Sequence, residues 1–288
     1  MVVLVRYSEI GLKGGNRGVF EKKLIDNMRS CLAKNKVKFS AIRNLFGRIF
    51  IETDERCECL ACVFGIASFS PAIDAGQTMD SAKKASEPLI KNLKKKMTFR
   101  VSCQRLDKSF PFDSQEFERE LGAFVVEKKG NRARMKGFDF ELAAELLQGR
   151  IFLFTERIAG QGGLPVGVEG KVIAIIGNEN KNIEQDILAA LLMLKRGCAV
   201  IPALTKKLKT GSIEILEKFG SREKPVLIKK LAELDELAEK LNAKAVVSGQ
   251  TLENFKDFKL KTEIFRPLIA YDENEIKKQL EQFRQEIC

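Results

Sequence analysis

The chain has 288 residues, 44% hydrophobic and 31% charged, with a formal net charge of +11, no histidine and no tryptophan. That length suits two or three domains of ~100–200 residues; the missing histidine excludes His-based triads, His metal ligands and a His general base. Lysine and arginine exceed the acids 29 to 20 over residues 1–168 but only 21 to 19 over 169–288, so a polyanionic partner such as RNA is expected to meet the N-terminal half.

MVVLVRYSEIG carries no basic n-region followed by a long apolar stretch, and no apolar run approaches the ~20 residues that span a bilayer. A soluble, unprocessed cytoplasmic chain with no membrane partner is the expectation. VVLVRY (2–7) reads as a buried strand, and VFEKKLIDNMRSCLAKN as a helix with Phe20, Leu24, Met28 and Cys31 at helical spacing. RIFIET (48–53) is the next strand, and CECLACVFGIASF an apolar helix leading into a strand that Pro71 closes. This order suits a small split βαβ layer.

From about Met79 a second unit begins with a helix over SAKKASEPLIKNLKKK, Pro88 inside it, then the strand TFRVSCQRL (98–106) and the helix SQEFERELGAFVVEKKG. FDFELAAELL (138–147) has helical propensity, but Phe138, Phe140, Leu142, Ala144 and Leu146 recur at a spacing of two. With the Gln148-Gly149 turn and IFLFTE it predicts a hairpin. QGGLPVGVEG (161–170) is a connector. Beyond it, strands (171–176, 198–204, 225–228, 244–248, 263–268) alternate with helices (183–196, 230–242, 272–286), the pattern of a parallel sheet covered on both faces.

Two stretches suit phosphate contact. RYSEIGLKGGNRGVFEKKL sets Arg6, Lys13 and Arg17 among Gly11, Gly14, Gly15 and Gly18 between a strand and a helix. Glycines admit a ligand close to the backbone and cations beside a helix start favour a phosphate, although an ordinary flexible connector has the same composition. RLDKSFPFDSQEF sets Arg105 and Lys108 by Phe110, ahead of a helix capped by Asp113 or Ser114. Phe110 and Phe112 suit either stacking on unpaired bases or burial around Pro111.

In this order and spacing, RYSEIGLKGGNRGVFEKKL, VFGIASFSPA, RLDKSFPFDSQEFERELG and GGLPVGVEGKV resemble the tRNA 4-thiouridine synthetase (tRNA sulfurtransferase) family over about residues 1–170. KRGCAV, VVSGQTLENF and FRPLIAYDENEI extend the resemblance towards the C-terminus. It implies an α/β and α+β multidomain chain: a ferredoxin-like domain (1–74), a THUMP domain (75–165) and a Rossmann-like parallel-sheet domain of PP-loop type (166–288). In that family the first two domains hold tRNA, particularly its 3′ end, and members are often dimers. The implied RNA contacts are Arg6, Lys13, Arg17, Arg100, Arg105, Lys108 and Phe110, with Gly162 and Gly163 shaping the surface for the acceptor end.

The third domain departs from the family's pattern. An SGGxDS-type loop, whose amides and hydroxyls hold the ATP phosphates, is replaced by GNENKNIEQD. Glu179, Glu184 and Asp186 there outnumber Lys181. Two like charges ~4 Å apart repel by ~4 kcal/mol at an effective dielectric near 20, so phosphate binding should be lost unless Mg²⁺ bridges Glu179 and a phosphate. Gly177, Asn178, Gly249 and Gln250 correspond to nucleotide contacts, but Gly249 abuts Gln250 where the family has a longer segment.

The family's sulfur relay uses a late cysteine; here Cys198 reads as core and Cys288 is terminal. Cys57, Cys59 and Cys62 of CECLAC lack a fourth ligand nearby, and in a helix Cys57 and Cys59 point apart, so no metal site is assigned. The expectation is a tRNA-binding protein with no catalytic residue and no cofactor. The alternatives are an active sulfurtransferase using ATP and Mg, and a scaffold presenting tRNA to a separate enzyme.

Overall fold

The computed structural model describes residues 1–7, 9–45, 47–106, 110–177, 183–208 and 211–285. Contacts divide the chain into two units, one of Met1–Arg6, Lys38–Arg56 and Ser68–Ala159, the other of Tyr7–Val37, Cys57–Ala67 and Gly160–Cys288. The helix that follows the first strand thus belongs to the second unit, while that strand belongs almost wholly to the first.

The first unit is built on an eight-stranded sheet. β1 (Val2–Tyr7), β2 (Ala41–Leu45), β3 (Arg48–Glu52), β4 (Ile66–Asp74), β5 (Phe99–Arg105), β6 (Phe140–Leu147) and β7 (Arg150–Phe154) lie in the order β2-β3-β1-β4-β7-β6-β5, and β8 (Ile158–Ala159) pairs with β4. Val3, Leu4 and Val5 of β1 are fully buried, as an unbroken β-branched and apolar run requires. β2 was not anticipated: AIRNL is half-buried to exposed, so it carries no apolar periodicity.

Pro71 does not close its strand. β4 pairs with β8 at Ser68 and Phe69 and with β7 at Ile73 and Asp74, and Pro71, which has no N–H to donate, sits in the interval between those two ladders. The segment before it is a short 3-10 turn, Glu58–Cys62, rather than an apolar helix; it ends before Gly65, which takes a φ of +102°.

FELAAELL is the strand its spacing predicted, pairing antiparallel with β7 and parallel with β5. Leu142, Ala144 and Leu146 face one apolar cluster and Ala143 and Leu147 another, so burial on both sheet faces overrides the helical propensity. Helix α2 (Met79–Leu89) is shorter than predicted: Pro88 sits in its last turn and a 3-10 turn at Ile90–Asn92 follows. α3 (Ser114–Lys129) starts on a capping box in which Asp113 Oδ1 accepts from Glu116 N at 2.8 Å and Glu116 Oε2 accepts from Asp113 N at 2.9 Å.

In the second unit α1 (Arg17–Lys34) accompanies an all-parallel sheet of β9 (Lys171–Ile176), β10 (Ala199–Leu204), β11 (Val226–Leu227), β12 (Ala243–Val247) and β13 (Ile264–Phe265), ordered β11-β10-β9-β12-β13. Successive side chains of β9 alternate between faces. Val172, Ala174 and Ile176 pack with α4 (Ile183–Lys195), α5 (Glu214–Lys218) and α7 (Glu273–Gln285). Ile173 and Ile175 pack with α6 (Glu233–Leu241). From β9 the chain passes to β10 on one side and later returns to β12 on the other. That reversal of strand order marks where an open α/β sheet leaves a crevice for ligands.

Candidate functional site

The crevice lies beyond the carboxyl ends of β9 and β12. Gly177 follows β9 with a φ of +84°, a conformation that suits glycine, and its N–H donates to Asp186 Oδ2 at 2.9 Å. Asp186, in the first turn of α4, is 2% exposed. A helix start carries partial positive charge and favours an anion, and the anion held at this one is the chain's own carboxylate. Across from it Gly249 follows β12 so closely that a Cβ there would lie 2.7 Å from both the Asp186 amide nitrogen and Oδ1.

The rest of this segment is also committed to internal contacts. Ser248, Gln250 and Thr251 are buried. Gln250 Oε1 accepts from Arg266 Nε at 3.0 Å, and the Arg266 guanidinium lies over the rings of Phe255 and Phe258. Asn254 Nδ2 donates to Gln185 Oε1 at 3.1 Å, tying the turn after β12 to α4.

These contacts correct the expectation that Glu184 and Asp186 face a phosphate. Glu184 Oε1 takes Arg284 Nη2 at 2.7 Å, and Asp186 points inward to the Gly177 amide. Asn178, Glu179 and Lys181 lie outside the described residues. Gly177 and Gly249 both adjoin Asp186, with the Gly177 N–H turned to its carboxylate, and Gln250 Oε1 is turned to Arg266.

The residues expected to contact RNA fall into two kinds. Arg6 is 6% exposed; its Nε donates to Glu145 Oε1 at 2.6 Å and its Nη1 to Ser70 Oγ at 3.0 Å. Burial lowers its pKa, opposed by the Glu145 carboxylate. Arg48 Nε reaches the other oxygen of Glu145 at 2.7 Å, so one buried carboxylate serves two guanidinium groups. Arg6 is therefore a structural ion pair rather than a surface cation. Phe110, 5% exposed, belongs to the apolar core with Phe112 and Phe117, which answers the choice between stacking and burial. Arg105 Nη2 donates to the Phe110 carbonyl at 2.9 Å. Lys108 lies outside the described residues.

Gly163 is a packing residue, whereas a Cβ on Gly162, at a φ of +63°, would meet nothing within 4 Å. Gly162 exchanges backbone hydrogen bonds with Gly65 and Ile66 at 2.7 Å each, and a Cβ on Gly163 would lie 2.3 Å from the Lys195 carbonyl oxygen.

Lys13 and Arg17 are different. Lys13 lies between the 3-10 turns Glu9–Leu12 and Gly14–Asn16 and Arg17 at the start of α1, with a third or more of each side chain exposed. Lys13 Nζ sits 3.5 Å from Glu169 and over the Phe20 ring. Arg17 binds Glu21 and the Tyr7 hydroxyl, and its pKa is raised chiefly by the bond to Glu21. Gly11, Gly15 and Gly18 beside them would each accept a Cβ with nothing within 4 Å.

In the first unit Arg100 is half-buried, with its guanidinium over Phe138 and its Nε without a hydrogen-bond partner. It lines a recess of about 250 Å³ with Arg119, Arg134 and Glu118. Sequence reading missed Arg119 and Arg134. Arg119 lies within an amphipathic helix and Arg134 within NRARMK, where cation density was the only signal.

Residues 2–70 match the ThiI ferredoxin-like domain and residues 76–156 the THUMP domain. A protein of Thermococcus kodakarensis named probable tRNA sulfurtransferase is 31% identical across 96% of this chain and 85% of its own length. The chain belongs to the tRNA sulfurtransferase family. A second family member of that name, from Mycoplasmopsis synoviae, is 30% identical over 95% of this chain and 82% of its own.

Among solved structures, PH1313 from Pyrococcus horikoshii superposes with a TM-score of 0.86 at 31% identity, covering 98% of this chain and 99% of that one. A 4-thiouridine synthetase in complex with RNA and bound ATP gives 0.79 at 25% identity, covering 98% and 84%. The Thermococcus alignment spans 331 positions, more than the 288 residues here, so that sulfurtransferase carries residues this one lacks. Among the described residues no helix is long and apolar enough to cross a membrane, and no group of three or more acids and cysteines could hold a metal ion.

Proposed function

We propose that this protein binds tRNA and does not carry out ATP-dependent adenylation, in a three-domain chain with breaks near 74 and 165. The contact between Gly249 and Asp186 carries the second half of that reading. Where the β9–β12 crevice would receive phosphates, a buried carboxylate already takes the Gly177 amide and the chain after β12 presses to within van der Waals distance of it. A nucleotide phosphate would add negative charge beside the buried Asp186, at a repulsion of ~4 kcal/mol for unit charges ~4 Å apart at an effective dielectric near 20. The described residues therefore do not fit ATP, and no ATP or Mg requirement is assigned.

Support for tRNA comes from the family and from the distribution of cations. The basic surplus lies in residues 1–168. Lys13 and Arg17 stand among glycines that the fold does not need at Gly11, Gly15 and Gly18, because side chains there would meet nothing. An open backbone beside partly exposed cations suits close approach of a phosphate chain. The Arg100–Arg119–Arg134 recess adds three guanidinium groups and one unpartnered buried donor. The family also carries the expectation of a homodimer, which light scattering of the tRNA-free protein reads directly.

The deciding experiment is calorimetric titration of Mg-ATP into the protein with tRNA already bound. No heat of ATP binding, alongside tRNA affinity that falls as salt rises, is the expected result. Micromolar ATP binding would overturn the adenylation half, and tRNA affinity insensitive to salt would overturn the cationic half.

A further inference from the structure

Six cysteines among the described residues are reduced, and three of them converge. Cys31 lies in the last two turns of α1, and Cys59 and Cys62 lie on the 3-10 turn packed against that helix. A 3-10 helix has three residues per turn, so positions i and i+3 share an edge. That geometry brings Cys59 and Cys62 to one side of the turn.

The Cys31 thiol donates to the Cys59 carbonyl with a separation of 3.3 Å, and the Asn35 side-chain amide donates to Cys31 Sγ at 3.8 Å. The first contact sets the Cys31 and Cys59 thiols close enough to shift one another's titration. The neighbouring Cys59, followed by burial, pushes the Cys31 pKa up, and the neighbouring Cys31 pulls the Cys59 pKa down. All three cysteines are partly exposed, whereas Cys57 and Cys198 are buried. Burial pushes the Cys103 thiol up to about 12, so it should react slowly.

We propose that Cys59 and Cys31 are a peroxide-sensitive thiol pair that closes to a disulfide between α1 and the 3-10 turn, and reopens with a dithiol reductant. The Cys59 thiolate attacks one peroxide oxygen; the O–O bond breaks, and the departing hydroxide is protonated to water. Cys59 is left as a sulfenic acid, oxidised by two electrons. Cys31 sulfur then attacks the Cys59 sulfur, forming the S–S bond and expelling hydroxide, which leaves as water with the Cys31 proton. Two thiols and one hydrogen peroxide give one disulfide and two waters. A dithiol returns both hydrogens by exchange through a mixed disulfide and is itself oxidised.

The test treats the full reduced chain with stoichiometric hydrogen peroxide at neutral pH and maps its peptides without reductant. The expected result is a linked pair of peptides carrying Cys31 and Cys59, an intact mass lower by two hydrogens, and loss of the link on adding dithiothreitol. Cys59→Ser should abolish the link. Cys31→Ser should halt at a sulfenic acid on Cys59 that a 1,3-dicarbonyl probe captures. Cys103→Ser should leave the link unchanged. A Cys59–Cys62 link in place of Cys31–Cys59, or oxidation of the separate thiols with no cross-link in the wild-type chain, would overturn the proposal without reference to any variant's folding.

Discussion

The glycine-rich segment before α1 and the crevice where β9 and β12 end look alike in sequence, since each sets glycines between a strand and a helix, yet they differ in space. At Gly11, Gly15 and Gly18 a Cβ would meet nothing within 4 Å; at Gly249 it would lie 2.7 Å from the Asp186 backbone nitrogen. The same contrast separates the cations. Arg6 is sealed against Glu145, and Lys13 and Arg17 keep a third or more of their side chains in solvent. Glycines with room to spare point to something outside the chain that needs the space. Glycines without it point to the chain itself as occupant.

The largest effect should come from testing the inward cations. Glu145→Ala would leave Arg6 and Arg48 buried opposite no carboxylate, and should destabilise the protein by ~3–5 kcal/mol in chemical denaturation. A loss below ~1 kcal/mol would return Arg6 to the list of surface cations. Next in size is Gly249→Ala. Its methyl would overpack against the α4 backbone, and a loss of ~1–3 kcal/mol is expected. An unchanged denaturation midpoint would mean that the crevice stands open in solution, which removes the main support for lost adenylation.

Much of the fold was legible because burial is periodic. β9 and β6 declared themselves by apolar runs and by spacing, and α3 by a cap at Asp113 or Ser114, of which the structure uses Asp113. β2 and α5 were missed because AIRNL and EILEK are short and little buried. The site was less legible, for a different reason. Counting Glu184 and Asp186 as charges facing a ligand assumed direction, and direction is set by Arg284, 100 residues on from Glu184, and by the Gly177 amide, nine residues before Asp186. Likewise Arg6 reads as a phosphate ligand until Glu145, 139 residues on, is seen to claim it.

The open region calls for variants that change binding and leave stability alone. Gly15→Ala has ordinary φ and free space, so its stability should stay within ~0.5 kcal/mol of wild type. Its tRNA affinity should nevertheless fall severalfold in a filter-binding series, because the added methyl stands where a ligand backbone would approach. Lys13→Ala should weaken binding to all tRNAs alike and reduce the slope of log affinity against log salt by about 1. If both variants bind tRNA like wild type, the glycines are no more than a connector, and the contrast between the two regions loses its functional meaning.

The smallest effect concerns Tyr7, which links the end of β1 to the start of α1. Its hydroxyl donates to Glu21 and accepts from Arg17 Nη2 at 2.6 Å. Burial, followed by the bond to Glu21, raises its pKa from an ordinary 10 to about 12, with Arg17 opposing. A pKa raised on folding means that the native state holds the proton more tightly than the unfolded chain. The resulting stability is fully present below pH ~10 and is lost as the pH rises through about 12. Tyr7→Phe keeps the ring and removes the proton, so the wild-type advantage over the variant should shrink across that window and be constant below it. Lysines and cysteines titrate there too, in both proteins, which is why the difference between the two denaturation curves is the quantity to follow. A difference that does not change from pH 9 to 12 would mean that the hydroxyl is solvated and that Glu21 and Arg17 pair without it. Arg17 would then be held by one carboxylate alone and be freer to turn towards a phosphate.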